Sequence, residues 1–291
     1  MMRDWVDAAR PRTLPASASP VVAATAYAWH YGVMNVVAAV ICLLFALLAQ
    51  IASNFANDYY DYKKGSDRAD RVGPRRAVAS GDISPKSMLM ATLLTLIISC
   101  GLGLALLIWG GWWLILAGMI IVVFAIAYSA GPYPLSYKGW GDVLVIVFFG
   151  FVPVGGTYYV QALNWTPNVT VASLVCGLIV DTLLVVNNYR DRDADRKSGK
   201  KTVVVRFGES FGRYFYLLLG ITAAWLCFWF LFNGHLYATL LPQLYLFFHI
   251  RTWKKMVQIH SGKKLNSILG ETSRNMLLMG ILLSIGLVIN G

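Results

Sequence analysis

Two groups of aspartates stand where membrane segments ordinarily carry none. The stretch Gln50 to Asp67, Q-I-A-S-N-F-A-N-D-Y-Y-D-Y-K-K-G-S-D, closes an apolar segment that begins near Val36 and is long enough to cross a bilayer. At ~100° per residue, Gln50, Asn54, Asn57, Asp58 and Asp61 fall within roughly a third of the helix circumference. A second stretch, N-N-Y-R-D-R-D-A-D-R-K-S-G-K-K-T from Asn187 to Thr202, repeats the plan. Asp181, Asn188, Asp191 and Asp195 share one arc if the helix continues that far, while Asp193 points elsewhere. A carboxylate in a membrane helix is costly unless it faces the bundle interior, water or a metal. Two such faces point to a hard-cation site between two helices.

Basic residues are interleaved with these acids. Lys63, Lys64, Arg68, Arg71, Arg75 and Arg76 alternate with Asp67, Asp70 and Asp82 after the first group, and Arg190, Arg192, Arg196, Lys197, Lys200 and Lys201 surround the second. Such a mixture suits a diphosphate bound through Mg²⁺: the metal takes the carboxylates and the bases take the phosphate oxygens. The neighbouring apolar spans would house an apolar tail, and metal and bases together would stabilise a departing diphosphate. Lys138, the only basic residue between Tyr128 and Asp142, has two readings, a ligand to that diphosphate or a topological charge. Arg10 and Arg12, in R-P-R-T-L-P, read first as snorkelling to lipid headgroups, with an inward, anion-binding role as the alternative. For Asp181 a wet cavity and a neutral, hydrogen-bonded carboxyl are both open.

The elements that position these residues are set by composition. Of 291 residues, 57% are hydrophobic and 13% charged, with mean hydropathy +0.59, whereas a soluble domain carries about a quarter charged residues. Apolar runs over 14–31, 36–57, 88–109, 112–130, 141–162, 169–189, 214–232, 235–250 and 275–290 give about nine candidate spans, hence an all-α polytopic membrane protein read as one domain over 1–291. The net charge of +11 does not indicate nucleic acid, because all Lys and Arg fall in connections of one parity. By the positive-inside rule the N-terminus and basic loops are expected in the cytoplasm and the C-terminus outside. The loop Arg251–Arg274 reads as a solvated membrane-surface loop. The N-terminal M-M-R-D-W-V-D-A-A-R is too polar for a signal-peptide core and reads as a short interfacial helix. Cys42, Cys100, Cys176 and Cys227 lie inside spans and read as small apolar packing residues.

The motifs also carry a resemblance. N-D-Y-Y-D at Asn57–Asp61 and R-D-R-D-A-D at Arg190–Asp195 resemble the paired aspartate motifs of the UbiA superfamily of intramembrane prenyltransferases. R-P-R-T-L-P, S-N-F-A-N-D-Y-Y-D-Y-K-K-G-S-D, D-R-V-G-P-R-R and N-N-Y-R-D-R-D-A-D-R-K-S-G-K-K-T-V-V-V-R-F-G are similar to its naphthoate-prenylating branch. The likeness runs from about Arg10 to Gly208. The superfamily's first motif often has a third Asp four residues after the second; here that position is Gly65, and Asp67 follows instead.

The resemblance implies about nine helices around a central cavity with the active site on the cytoplasmic side of the inner membrane. Asn54, Asp58, Asp61, Asp191 and Asp195 would hold Mg²⁺ and diphosphate. Arg76 and Lys138 match diphosphate-contacting positions, with Lys64, Arg190 and Arg10 as further candidates and Asn57, Asp67 and Asn188 nearby. The implied substrates are a polyprenyl diphosphate and 1,4-dihydroxy-2-naphthoate, joined with loss of CO₂ and diphosphate to give demethylmenaquinone. The alternatives are another acceptor (4-hydroxybenzoate, homogentisate or haem) or a cation-coupled transporter. A transporter's carboxylates would sit near the midplane rather than at span ends.

Overall fold

The structure, a computed structural model, describes residues 2–63, 65, 72–129 and 135–289. Lys64 and Asp67 lie outside them. The described chain is helical throughout its ordered elements: α1 (Met2–Ala9), α2 (Pro15–His30), α3 (Val36–Lys63), α4 (Pro85–Gly110), α5 (Trp113–Ser129), α6 (Gly141–Ala162), α7 (Pro167–Lys197), α8 (Glu209–Asn233), α9 and α10 (Leu265–Ile289). Helix α9 is built from Leu236–Leu240 and Leu244–Ile259, joined by a 3₁₀ turn at Leu241–Gln243 that accommodates Pro242.

Side-chain caps and prolines start several of these helices. Ser84 accepts from the Ser87 N–H at 3.1 Å ahead of Pro85, Thr166 accepts from Val169 N–H at 3.3 Å ahead of Pro167, and Thr202 accepts from Val205 N–H at 3.3 Å to start the short Val203–Phe207 helix. Among the described residues six helices (α3, α4, α6, α7, α8 and α10) are long and apolar enough to cross a membrane. Each of the nine expected segments coincides with a helix, but α2 has 16 residues, α5 has 17 and α9 is interrupted, so the full length criterion is met by six.

Helix α2 is the hub. Its alanines 16, 23, 24, 26 and 28 are buried, and their small side chains let it pack against α3, α6, α7 and α10 together. Helices α6 and α7 approach closely because both place glycine at the crossing. A Cβ on Gly150 would meet Ser173 O at 2.3 Å, and one on Gly177 would meet Ile146 O at 2.8 Å. Along this stretch α6 is a π-helix, Val147–Gly155, that contains Pro153. An apolar cleft of about 500 Å³, lined by Val21, Ala26, Val40, Leu43 and Ile285, opens between α2, α3 and α10.

One expectation is corrected. The 251–274 segment is not a surface loop: α9 runs to Ile259 and α10 starts at Leu265, and Lys255 Nζ pairs with Glu271 at 2.8 Å between them. Charged residues simply extend both helices past the apolar stretch, which hydropathy alone ends too early. The short N-terminal helix expected from the sequence is α1. Its Trp5 packs edge-on to Phe55 of α3 with centroids 5.6 Å apart, in a cluster with Ala77, Val78, Ile83 and Met88.

Gly177→Val should push α6 and α7 apart, because the Ile146 backbone cannot yield as a side chain can. Overpacking of this kind costs about 1–3 kcal/mol, and thermal unfolding in detergent should show it. Gly118→Ala, which has open space around it, should unfold as the unmodified chain does.

Candidate active site

The site is built at the ends of α3 and α7. Asp58, 1% exposed, faces inward from α3 and accepts the Ala77 N–H at 3.1 Å and the Val78 N–H at 3.3 Å. It thereby anchors the turn that follows Arg76. One turn further along α3, Asp61 accepts from Arg76 Nη2 at 2.7 Å. The Arg76 side chain is 10% exposed, so this ion pair is shielded from water on one side.

On α7 the expected facing is what the structure shows. Asp191 and Asp195 side chains are 31% and 13% exposed, whereas Asp193 is 71% exposed and pairs with Arg196 in solvent. Arg190, 3% exposed, grips Asp191 with two parallel bonds of 2.8 and 2.6 Å. Lys200 Nζ lies 3.6 Å from Asp195 Oδ1, and Asp195 Oδ2 is buried with no hydrogen-bond partner. Asn188 is buried on the same face, and Asn57 is half-buried.

A residue absent from the sequence reading joins the two halves. Asn266, at the start of α10, accepts from Arg190 Nη1 at 3.0 Å and donates to Val72 O at 2.9 Å. Val72 opens the segment that delivers Arg76 to Asp61. A bonded path thus runs from Asp191 through Arg190, Asn266 and the Val72–Arg76 segment to Asp61. Nothing in L-N-S-I-L-G distinguishes this asparagine from a polar surface residue, because its role depends on two partners remote in sequence.

A second cluster brackets the end of α7. Arg192, 6% exposed, donates to Tyr189 O at 2.7 Å and to Glu209 at 3.2 Å. Glu209 also accepts from Tyr189 Oη at 2.9 Å and pairs with Arg213 and His260. These bonds hold the second acidic segment against α8.

Asn54 points at the N-terminal segment. Its amide donates to Ala9 O at 2.9 Å and to Thr13 Oγ1 at 3.1 Å, and its oxygen accepts from Gln50 at 3.4 Å. These bonds hold the turn at Arg10, a non-glycine residue with φ +53°. The Arg10 guanidinium turns inward, 3.5 Å from Asn54 O, rather than outward to lipid. Lys138 lies in a loop docked on the 199–206 segment: Lys201 N–H donates to Tyr137 O at 2.9 Å and Arg206 donates to Lys138 O. Gly139, with φ +85°, permits that docking, since a Cβ would meet Lys201 O at 2.8 Å.

Among the described residues no three His, Cys, Asp or Glu side chains converge as a ready metal cluster. The acids instead face bases: Asp61 meets Arg76, Asp191 meets Arg190 and Asp195 meets Lys200. The arrangement offers hard oxygen donors and guanidinium groups side by side, the donor set of a metal–phosphate complex.

Comparison with known proteins places the chain in a family. Residues 17–268 match the UbiA prenyltransferase family. The 1,4-dihydroxy-2-naphthoate octaprenyltransferase of Escherichia coli (strain K12) is 40% identical over 74% of this chain and 73% of its own length. The enzyme of that name from Haemophilus influenzae is 33% identical over 99% of this chain and 96% of its own. A UbiA homologue from Archaeoglobus fulgidus, solved bound to GPP and Mg²⁺, superposes with a TM-score of 0.64 at 18% identity, covering 98% of this chain and 99% of that one, and so shares the fold. With a match of this extent and relatives of this similarity, the chain belongs to the UbiA prenyltransferase family.

Proposed function

We propose that this enzyme transfers a polyprenyl group from an allylic polyprenyl diphosphate to 1,4-dihydroxy-2-naphthoate, releasing diphosphate and CO₂ and forming the quinol of demethylmenaquinone. The observation that carries the reading is the pairing of helix-end carboxylates with buried arginines, Asp61 with Arg76 and Asp191 with Arg190, in a chain whose relatives of 33–40% identity carry the naphthoate activity in their names. The reading includes Mg²⁺, and the residues fit it. Four carboxylates supply hard oxygens, and the buried, unpartnered Asp195 Oδ2 is an acceptor awaiting a ligand. Asp58, Asp61, Asp191 and Asp195 would hold the ion, which when bound neutralises charge on the leaving diphosphate.

Arg76, Arg190 and Lys138, with Lys64 and Arg10 as outer candidates, bind and orient the diphosphate. Exchange of a carboxylate partner for phosphate oxygens lets an arginine keep its charge-assisted bonds throughout. Asn54 fixes the N-terminal turn that brings Arg10 inward, and Asn57 and Asn188 add polar contacts beside the carboxylates. The apolar lengths of the helices would house the isoprenoid tail and exclude water from the allylic cation. The enzyme is an integral membrane protein, assigned in this reading to the inner membrane with its N-terminus and site in the cytoplasm and its C-terminus outside. The whole chain, 1–291, acts as one domain.

In membranes supplied with labelled polyprenyl diphosphate and the naphthoate, Asp61→Ala, Asp191→Ala and Asp195→Ala should each abolish nearly all product formation, as should Asp58→Ala. Asp193→Ala should retain most of it, and EDTA should stop turnover until Mg²⁺ is restored. Equal sensitivity of Asp193 and Asp191 would refute the facing of α7.

Asn266→Ala removes the bridge without touching a carboxylate. A hydrogen bond to a charged group contributes roughly 1.5–3 kcal/mol, so the KM for the prenyl diphosphate should rise about tenfold or more. An unchanged KM would show that Arg190 and the Val72–Arg76 segment hold their places unaided.

Orientation is read from reporter fusions. Fusions after Gly110 and Asn233 should report the outside, and fusions after Lys86 and Lys201 the cytoplasm; a cytoplasmic signal at Asn233 would reverse the assignment.

A further inference from the structure

A second pair of carboxylates lies deeper in the bundle, away from the arginines. The glycine crossing fixes their register. Ile146 of α6 sits against Gly177 of α7, and Gly150 against Ser173. In this antiparallel pair, one further turn in the same direction sets Asp142 opposite Asp181. Asp181 is 0% exposed and Asp142 7% exposed. Both oxygens of Asp181 and Oδ1 of Asp142 are buried without a hydrogen-bond partner.

These oxygens are acceptors left unsatisfied in the interior. A purely structural carboxyl would have found a serine, threonine or backbone donor, but the neighbouring Thr182 hydroxyl instead donates to Ile179 O at 2.6 Å. The position along α7 tells what could approach. Asp181 lies on the arc shared by Asn188, Asp191 and Asp195, about 15 Å nearer the bundle interior than Asp191 at 1.5 Å per residue.

We propose that Asp142 and Asp181 bind a ring hydroxyl of the aromatic acceptor, on the face of α7 that ends at the metal-binding aspartates. The assignment rests on the prenyltransferase reading above, and it follows by elimination among that reaction's participants. The diphosphate is anionic and is repelled by carboxylates. The isoprenoid tail has no donor. The acceptor's own carboxylate is excluded for the same reason as the diphosphate. Only a phenolic O–H can donate to these oxygens, and doing so orients the ring with its reactive carbon toward the allylic end of the prenyl donor. The pair would also select against aromatic acceptors lacking a hydroxyl at that position, because a site built to accept a hydrogen bond is left unsatisfied by them.

The test is steady-state kinetics of the purified enzyme in detergent with both substrates varied, for D181L, D142L and D181A, which remove the acceptor oxygens. For D181L and D142L the KM for the naphthoate should rise roughly ten- to hundredfold while the KM for the prenyl diphosphate stays within about twofold. The ratio of kcat/KM for the dihydroxynaphthoate over its mono-O-methyl ethers should fall in D181A, since the ether keeps the ring electron-rich but lacks the donor. Thermal unfolding of each variant is recorded alongside. Unchanged acceptor kinetics in folded D181L and D142L, or equal rises in both KM values, would overturn the assignment. Restoration of activity by Na⁺ or K⁺ titration would also overturn it, in favour of a cation site. If the unmodified enzyme prenylates another hydroxyaromatic acid and not the naphthoate, the reading of the acceptor fails, and the same KM split on that acid decides the role of the pair.

Discussion

The constraint on which this structure depends is that carboxylates gathered at a membrane boundary must be answered by positive charge held in place. Asp61 and Asp191 stand on different helices, and each is met by an arginine that is at most a tenth exposed. A guanidinium buried to that extent is itself costly unless its other donors are satisfied. Arg190 resolves this by reaching Asn266, and Asn266 in turn reaches Val72 O. The ends of α3, α7 and α10 are therefore tied by polar bonds, while their apolar lengths pack by shape.

The same logic explains the segment between α3 and α4. A stretch rich in glycine and charge has little apolar area with which to fold. Asp58 supplies the missing organisation by accepting two backbone N–H groups at Ala77 and Val78, and the small cluster of Phe55, Ile83, Met88 and Trp5 covers that turn. Helix α1 thus serves as a cover for the segment, and Asn54 fixes the turn that leads from it into α2. Across the two motifs the present partners differ: Asp61, Asp191 and Asp195 face basic side chains, while Asp58 also organises backbone.

Deeper in the bundle, packing rather than charge sets position. The glycines at 150 and 177 bring α6 and α7 backbones into contact, and that contact puts Asp142 opposite Asp181. Polar groups buried without partners are rare in folded proteins. Their presence on the face that leads to the acidic helix ends gives the interior a polar feature that tail packing does not require.

Much of this was legible in the sequence. Apolar runs fix helices where backbone groups can be satisfied only internally, so the all-α class and the positions of the segments followed from hydropathy. The 3.6-residue period placed Asp191 and Asp195 together and sent Asp193 outward, as the exposures confirm, because helix geometry is a local property. Helix ends were less legible: the charged stretches at 251–259 and 265–274 continue α9 and α10, and hydropathy is blind to a helix that leaves the bilayer. What only the tertiary structure decided was partnership. That Asn54 bonds Ala9, that Asn266 joins Arg190 to Val72 and that Glu209 gathers Arg192, Arg213 and His260 depends on contacts between residues far apart in the chain. No period or composition encodes such contacts, because they arise only when the helices pack.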